Sequence, residues 1–424
     1  MSKITKYALS DLYDMSSGIS SKKEQAGHGA PFVSFGTVFN NYFLPEELPD
    51  LMDTSEKEQE IYSIKAGDVL ITRTSETIDE LAMSCVAVKD YPNATYSGFI
   101  KRLRPKREGI VYPKYMAFYF RSALFRKAVT NNAFMTLRAS FNEDIFTLLE
   151  VHLPDYDEQV RIGDLLYKIE CKIQKNRKIN DYLEEMTKTI YDYWFVQFDF
   201  PDENGKPYKS SGGKMVWNDK LNLQIPNTWQ STELSSYGKI ISGGTPSTEN
   251  EDFYADNGIA WITPNDLSNN TSNMFISHGE RDISVQGLNN SSAALIPSSS
   301  ILLSTRAPIG YIAVSMNELT TNQGFKTLVP NDTDNTSFLY YLIKRNIPYL
   351  EQMGTGTTFK EVSKDSMEHL TVILPSNNIL AHFFQKIKPY MMLRKSYEQE
   401  TKKLISIRNW LLPIVMNGQA TIKD

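Results

Sequence analysis

The chain has little of what marks several common functions. Its two cysteines, Cys85 and Cys171, lie in different segments. Two distant cysteines make neither a disulfide framework nor a thiolate zinc site, and free thiols point to a reducing, cytoplasmic compartment. Five histidines, His28, His152, His278, His369 and His382, are scattered without metal-ligand spacing. No run of about 18 apolar residues exists, so no membrane-spanning helix is expected. Met1-Ser2-Lys3-Ile4-Thr5-Lys6 lacks the apolar stretch of a secretory signal. The net charge of −5 does not by itself advertise nucleic-acid binding. Gly212-Gly213-Lys214 continues to Met215 and lacks the leading glycine of a phosphate loop. There is no Gly-x-Ser-x-Gly elbow, no Asn-Pro-Pro-aromatic tetrad of amino-methyltransferases and no nuclease carboxylate–lysine set. These absences favour a binding protein over an enzyme.

What is present is repetition. The 424 residues exceed one ordinary core. Leu153-Pro154, an amphipathic helix and Trp194-Phe195-Val196 occur in the first half. Leu374-Pro375, a similar helix and Trp410-Leu411-Leu412 occur in the second. Such duplication must be found first, because it decides the architecture. It divides the chain into a globular segment (1–154), a helix (155–200), a linker with a second globular segment (201–375) and a last helix (376–424).

The globular segments read as short strands and helices. Strands are expected over 68–72, 85–88, 98–100 and 147–153, and a helix over 112–131. The stretch 46–60, with seven carboxylates against Lys57, reads as a solvated loop. Short motifs recur. Asp68-Val69-Leu70-Ile71-Thr72-Arg73 resembles Ser300-Ile301-Leu302-Leu303-Ser304-Thr305-Arg306. Gly98-Phe99 resembles Gly324-Phe325, and Ser140-Phe141-Asn142 resembles Thr358-Phe359-Lys360.

Both helices carry a heptad seam. The first has Ile162, Leu166, Ile169, Ile173, Asn176, Asn180, Leu183, Thr187, Ile190 and Trp194, flanked by Leu165, Ile179, Met186 and Tyr193. The second has Leu380, Phe383, Ile387, Tyr390, Arg394, Tyr397, Thr401, Leu404, Arg408, Leu411 and Val415, with kinks expected at Pro389 and Pro413. Segment 155–200 holds 7 Lys/Arg and 10 Asp/Glu; segment 376–424 holds 8 and 3. Opposite charge suits two helices that pair with each other.

Candidate contact residues are polar turns beside cations. Ser242-Gly243-Gly244-Thr245-Pro246 is either an anion-cradling turn or an ordinary one, and Gly354-Thr355-Gly356-Thr357-Thr358 has the same two readings. Lys101, Arg102, Arg104, Lys106 and Arg107 form the densest basic run, which is either a solvated strand end or a DNA contact. Arg73, Arg138 and Arg306 sit in repeated motifs, and arginine is the residue most used to read guanine.

With these residues in hand, the chain resembles the specificity (S) subunits of type I restriction-modification systems. The resemblance rests on Ile225-Pro226-Asn227-Thr228-Trp229, the Ser242–Pro246 turn, Gly258-Ile259-Ala260-Trp261-Ile262 and Thr321-Asn322-Gln323-Gly324-Phe325. It continues in Gly354–Thr357, Leu374-Pro375 and 410–418, and in the central 194–201 followed by Asn204-Gly205-Lys206-Pro207. The first half departs from the pattern: it lacks the opening Pro-x-x-Trp and the Gly-Thr-Pro turn, and carries the acidic stretch.

The resemblance implies a mixed α/β (α+β) two-domain fold with a pseudo-two-fold internal repeat. Two target-recognition domains would be joined and spaced by two long antiparallel coiled-coil helices. Each domain would read one half of a bipartite, asymmetric DNA site. Helix pairing would run through Ile162, Leu166, Ile169, Ile173, Leu183, Ile190, Phe383, Ile387, Tyr397, Leu404 and Leu411. DNA contacts would fall among Arg73, Thr74, Lys101, Arg102, Arg104, Arg138, Ser140, Gly243, Gly244, Thr245, Thr305, Arg306, Asn322, Gln323, Thr355, Thr357 and Lys360. The partners implied are double-stranded DNA, two methyltransferase (M) subunits and restriction/translocase (R) subunits, with no membrane. S-adenosylmethionine, ATP and Mg belong to those partners, and this chain holds no cofactor, metal or catalytic residue. Rival readings are a methylation-only system, a coiled-coil adaptor that reads no DNA, and a self-sufficient enzyme.

Overall fold

The computed structural model describes residues 4–20, 22–132, 139–306, 308–354 and 361–422. The chain divides into two compact units. One takes in the chain up to Gln174 together with the chain from Lys402; the other is Lys175–Thr401. This division runs through the two long helices, Tyr156–Phe195 and Asn377–Met416, rather than at their ends.

The first unit is built on a four-stranded antiparallel sheet in the order Tyr13–Ser17, Ile100–Pro105, Val69–Thr72, Ser84–Val86. Val69, Leu70 and Ile71 are all fully buried, as a central strand covered on both faces requires. A three-stranded sheet lies beside it, in which Ala26–Val33 runs parallel to Thr95–Tyr96. Tyr115, Phe118, Tyr119, Phe120, Phe125 and Phe141 fill the core, and Ile162, Leu166, Val415 and Met416 bring the helices into it.

The second unit repeats this plan. Its five-stranded sheet has the order Gly238–Ser242, Phe325–Pro330, Ile301–Ser304, Ile312–Ser315, Phe275–Ile276. In the companion sheet Ile259–Ile262 runs parallel to Thr320–Thr321. The core here is Tyr191, Trp194, Phe195, Trp229, Phe338 and Phe383 with their aliphatic neighbours. In each unit an N-terminal strand pairs with the strand that ends at the Leu-Pro: Thr5 lies opposite Leu153 and Gln230 opposite Leu374.

Several sequence expectations need correction. Residues 46–60 are not a plain loop: they hold the strand Asp50–Met52 and the helix Glu56–Ile61. Ser55 and Glu58 cap that helix reciprocally, so the local hydrogen bonds outweigh the charge crowding. The expected strand over 147–153 is shorter, Glu150–Leu153, because Asn142 caps a helix over Glu143–Leu148. The expected helix over 112–131 is two, Pro113–Tyr119 and Ala123–Asn132. The last helix continues through Pro389 and Pro413. Both prolines are exposed, as are Gln385 and Asn409, so water can take the carbonyls that lose a partner.

The helix seam is real within each unit. Ile162, Leu166, Ile173, Leu183, Phe383 and Ile387 are buried. Ile169, Ile190, Tyr397, Leu404 and Leu411 are half-buried, whereas Leu165, Met186 and Tyr193 are exposed. In the first unit Arg408 pairs with Glu170 at 2.6 Å. In the second, Arg394 pairs with Glu184, and Asn176 donates to Glu400 at 2.8 Å. Asn176 with Glu400 and Glu184 with Arg394 make the helix pair of the second unit antiparallel, and in both ion pairs the acid lies on the first helix and the arginine on the second. The repeated tryptophans differ: Trp194 is buried, but Trp410 is 67% exposed.

Candidate nucleic-acid interface

Backbone hydrogen bonds match the two units residue for residue at one end of each central sheet. Arg73 N–H donates to the Phe99 carbonyl at 2.7 Å, and Thr305 N–H to the Gly324 carbonyl at 2.8 Å. Phe141 N–H donates to the Arg73 carbonyl at 2.7 Å, and Val362 N–H to the Thr305 carbonyl at 3.0 Å. Ile19 N–H donates to the Tyr96 carbonyl at 2.9 Å, and Gly244 N–H to the Thr321 carbonyl at 2.8 Å. Thr74 faces Ser140 across a strand pair, and Arg306 faces Glu361 across a single bridge. Ser17 pairs with Lys101, and Ser242 with Lys326.

This frame corrects two alignments read from sequence and adds a third. Gly324 is the counterpart of Phe99, so the Gly-Phe motifs are one residue out of step. Phe141 corresponds to Val362, not Phe359. Gly18, in Ser17-Gly18-Ile19, is the counterpart of Gly243, so the first unit keeps a glycine at this place although it lacks the Gly-Thr-Pro sequence. A Cβ on Gly18 would collide with the carbonyls of Tyr96 and Ser97, and one on Gly243 with the Asn322 carbonyl. Glycine is needed at both for close backbone approach. Since Gly243 and Gly244 N–H already donate to the Phe325 and Thr321 carbonyls, the turn is scaffold rather than an anion cradle.

The sheet end of the first unit gathers Ser17, Arg73, Thr74, Lys101 and Ser140. Arg73 and Ser17 are exposed, and Lys101 Nζ donates to Ser17 Oγ at 2.9 Å. Burial and the adjacent Arg73 charge push the Lys101 ammonium below its ordinary value. In the second unit the same place holds Thr245, Arg306, Asn322, Gln323, Lys326 and Glu361. Thr245 Oγ1 meets Gln323 Oε1, and Asn322 Oδ1 accepts from Gly324 N–H at 2.9 Å. Glu361 binds Arg306 Nε at 3.0 Å and the buried Lys326 Nζ at 3.3 Å. Burial raises the Glu361 carboxyl, but its bonds to Arg306 and Lys326 more than offset that and hold it below the usual carboxylate range.

Three candidates are taken up by internal contacts. Arg102, 9% exposed, bonds the Ser63 carbonyl and lies over the Tyr96 ring. Arg104 grips the fully buried Asp68 at 2.6 and 2.7 Å. Thr305 is fully buried, its hydroxyl donating to the Gly324 carbonyl at 3.2 Å. The basic run was thus read too broadly: strand alternation turns Lys101 outward and Arg102 inward. Arg138, Thr355, Thr357 and Lys360 lie outside the described residues. Sequence reasoning missed Phe99, Lys326 and Glu361; the register of the central strands was the signal that finds them. Among the described residues, no three His, Cys, Asp or Glu side chains are placed to share a metal ion, and no helix is long and apolar enough to cross a membrane.

Comparison with known proteins agrees with the duplication. The type I restriction modification DNA specificity domain matches residues 1–185 and again 226–392. The HindI specificity subunit of Haemophilus influenzae is 26% identical over 473 aligned positions, covering 99% of this chain and all of the relative. The MjaIX specificity subunit of Methanocaldococcus jannaschii is 37% identical over 155 residues, 36% of this chain and 35% of the relative. The crystal structure of a type I restriction-modification S subunit from M. genitalium shares the fold, with a TM-score of 0.61 at 13% identity over 98% of this chain and 96% of that one. With a specificity domain in each half and a full-length relative, the chain belongs to the family of type I restriction-modification DNA specificity proteins.

Proposed function

We propose that each unit reads one half of a bipartite DNA site with the sheet end described above. One observation carries this reading. The two units keep the same hydrogen-bonded frame but carry different side chains on it: Thr74 against Arg306, Ser140 against Glu361, Phe99 against Gly324. A shared frame with divergent polar and aromatic side chains suits two readers of different half-sites. Lys101 and Lys326 are common to both.

The partners of this reading are double-stranded DNA, two methyltransferase subunits and restriction/translocase subunits, in the cytoplasm. Methyl transfer with S-adenosylmethionine, and ATP- and Mg-dependent translocation, belong to those partners; this chain binds and orients. Partner subunits also supply much of the phosphate neutralisation that a chain of net charge −5 does not. The long helices dock the methyltransferases and set the interval between half-sites.

Exchange of residues 1–154 for the matching segment of a relative is expected to change one half of the methylated sequence and leave the other half unchanged. Exchange of about 221–375 is expected to do the converse. Methylome sequencing reads both outcomes. A single exchange that rewrote both halves would end the two-reader account.

Within the second unit, Arg306→Ala is expected to weaken cognate binding more than random binding, by about 1–3 kcal/mol of discrimination. Lys326 remains to hold Glu361, so the frame stays intact. Competition between cognate and random duplexes, using the assembled complex, provides the check. Equal losses on both would make Arg306 a phosphate contact.

A further inference from the structure

Phe99 leaves a phenyl ring 60% exposed at the sheet end of the first unit. Phe99 sits in the turn that Ile100 N–H closes on the Ser97 carbonyl at 2.9 Å, and the strand that follows opens with the fully buried Ile100 and the half-buried Lys101. The Arg73 backbone is bonded to the Phe99 carbonyl, and the Arg73 guanidinium reaches the Gly98 carbonyl at 3.5 Å. An exposed aromatic ring therefore follows directly on the carbonyl that Arg73 reaches, two residues before Lys101.

Folding does not explain the ring. Apolar surface left in water forgoes the stabilisation that burial gives. The frame does not need it either, because the second unit makes the same hydrogen bond from Thr305 N–H to a buried glycine, Gly324. What the ring does belongs to the first unit alone.

We propose that Phe99 is a base-contacting, specificity-determining residue of the half-site read by the first unit. Its ring meets apolar base surface, a thymine methyl or a base face, while Arg73 and Lys101 hold phosphates beside it. Aromatic side chains serve DNA readers in both ways, packing on the thymine methyl or entering between base steps. The inference rests on the sheet end being the DNA surface, as proposed above.

The test uses the complex assembled with its methyltransferase, carrying Phe99→Ala, Phe99→Leu, or Arg73→Ala with Lys101→Ala. Phe99→Ala is expected to relax the base preference at one or two positions, confined to the half-site that exchange of residues 1–154 changes. Cognate affinity should fall roughly tenfold with random-DNA affinity unchanged, and Phe99→Leu should retain part of the difference. Duplexes with uracil for thymine that weaken the unmodified complex but not Phe99→Ala would identify the methyl. Brightening of 2-aminopurine on binding, lost in Phe99→Ala, would identify the base face. A Phe99→Ala complex with unaltered methylome and affinity, beside an Arg73/Lys101 variant that loses DNA, would overturn the inference and keep the DNA surface. If all the variants bind and methylate as before, the DNA surface itself is misplaced. If Phe99→Ala weakens cognate and random DNA equally, or only fails to assemble with the methyltransferase, the ring contacts backbone or protein and the proposal falls.

Discussion

Replacing Arg394 with alanine is expected to destabilise the second unit by about 3–5 kcal/mol, the usual result of breaking a buried ion pair from one side. Arg394 is 4% exposed and lies between Glu184 and Glu398. Glu398 is also buried, and its carboxylate accepts from Met274 and Phe275 N–H, both at 2.9 Å. The network thereby fastens the second long helix to an edge of the unit's sheet. Without Arg394, Glu398 would be a buried charge with only those two backbone donors to answer it. Burial already pushes the Glu398 carboxyl above its ordinary value, although Arg394 and the two N–H groups pull the other way. A carboxyl with a raised folded-state pKa favours the folded state below its ordinary value and loses that contribution as pH rises through the raised one. The deficit of Arg394→Ala should therefore shrink as pH falls toward the carboxylate range. Adding Glu398→Gln should recover much of it at neutral pH, since no buried charge remains. Urea unfolding followed by tryptophan emission measures both. A loss below about 1 kcal/mol would mean that water already reaches the network and screens it.

The long helices were legible because their signal is local and repeated. Ile162, Leu166 and Ile173 fall on one face by spacing alone, and all three are buried. Their partner choice was legible only as a charge difference. The pairs that realise it, Glu170 with Arg408 and Glu184 with Arg394, join residues more than 200 positions apart. The readers were harder. Val69–Thr72 announced itself as an apolar run, but its neighbours in the sheet, Ser84–Val86 and Ile100–Pro105, are fixed by pairing that no short window contains. The Gly-Phe motifs looked alike, yet the hydrogen bond that defines the position falls on Phe99 in one unit and Gly324 in the other. Gly18 was invisible because its neighbours, Ser17 and Ile19, do not spell the Gly-Thr-Pro turn; its role lies in the carbonyls it approaches. The basic run misled for a related reason: composition counts Arg102 and Arg104 as cations, whereas alternation takes Arg102 inside and Asp68 holds the half-buried Arg104.

The same ion pairs bear on how the interval between half-sites is set. Glu170 and Glu184 are two heptads apart on the first helix, and their partners Arg408 and Arg394 are two heptads apart on the second. Seven residues inserted after Gln174 and seven after Lys403 would therefore preserve the heptad phase and leave both ion pairs with their original partners. The units keep their own cores, since neither insertion touches a sheet. Each helix becomes longer by about 10.5 Å at 1.5 Å per residue. Because the helices are proposed to set the interval, the recognised site is expected to keep both half-sequences and gain a longer non-specific spacer. At about 3.4 Å per base pair the gain is at most about three base pairs, less whatever DNA bending and twist absorb. A two-residue insertion in each helix serves as the contrasting variant: at about 100° per residue it turns the seam by about 200°, to the opposite face, and should abolish methylation rather than move the spacer. Methylome mapping distinguishes the two. An active seven-residue variant with an unchanged spacer would assign the interval to something other than these helices.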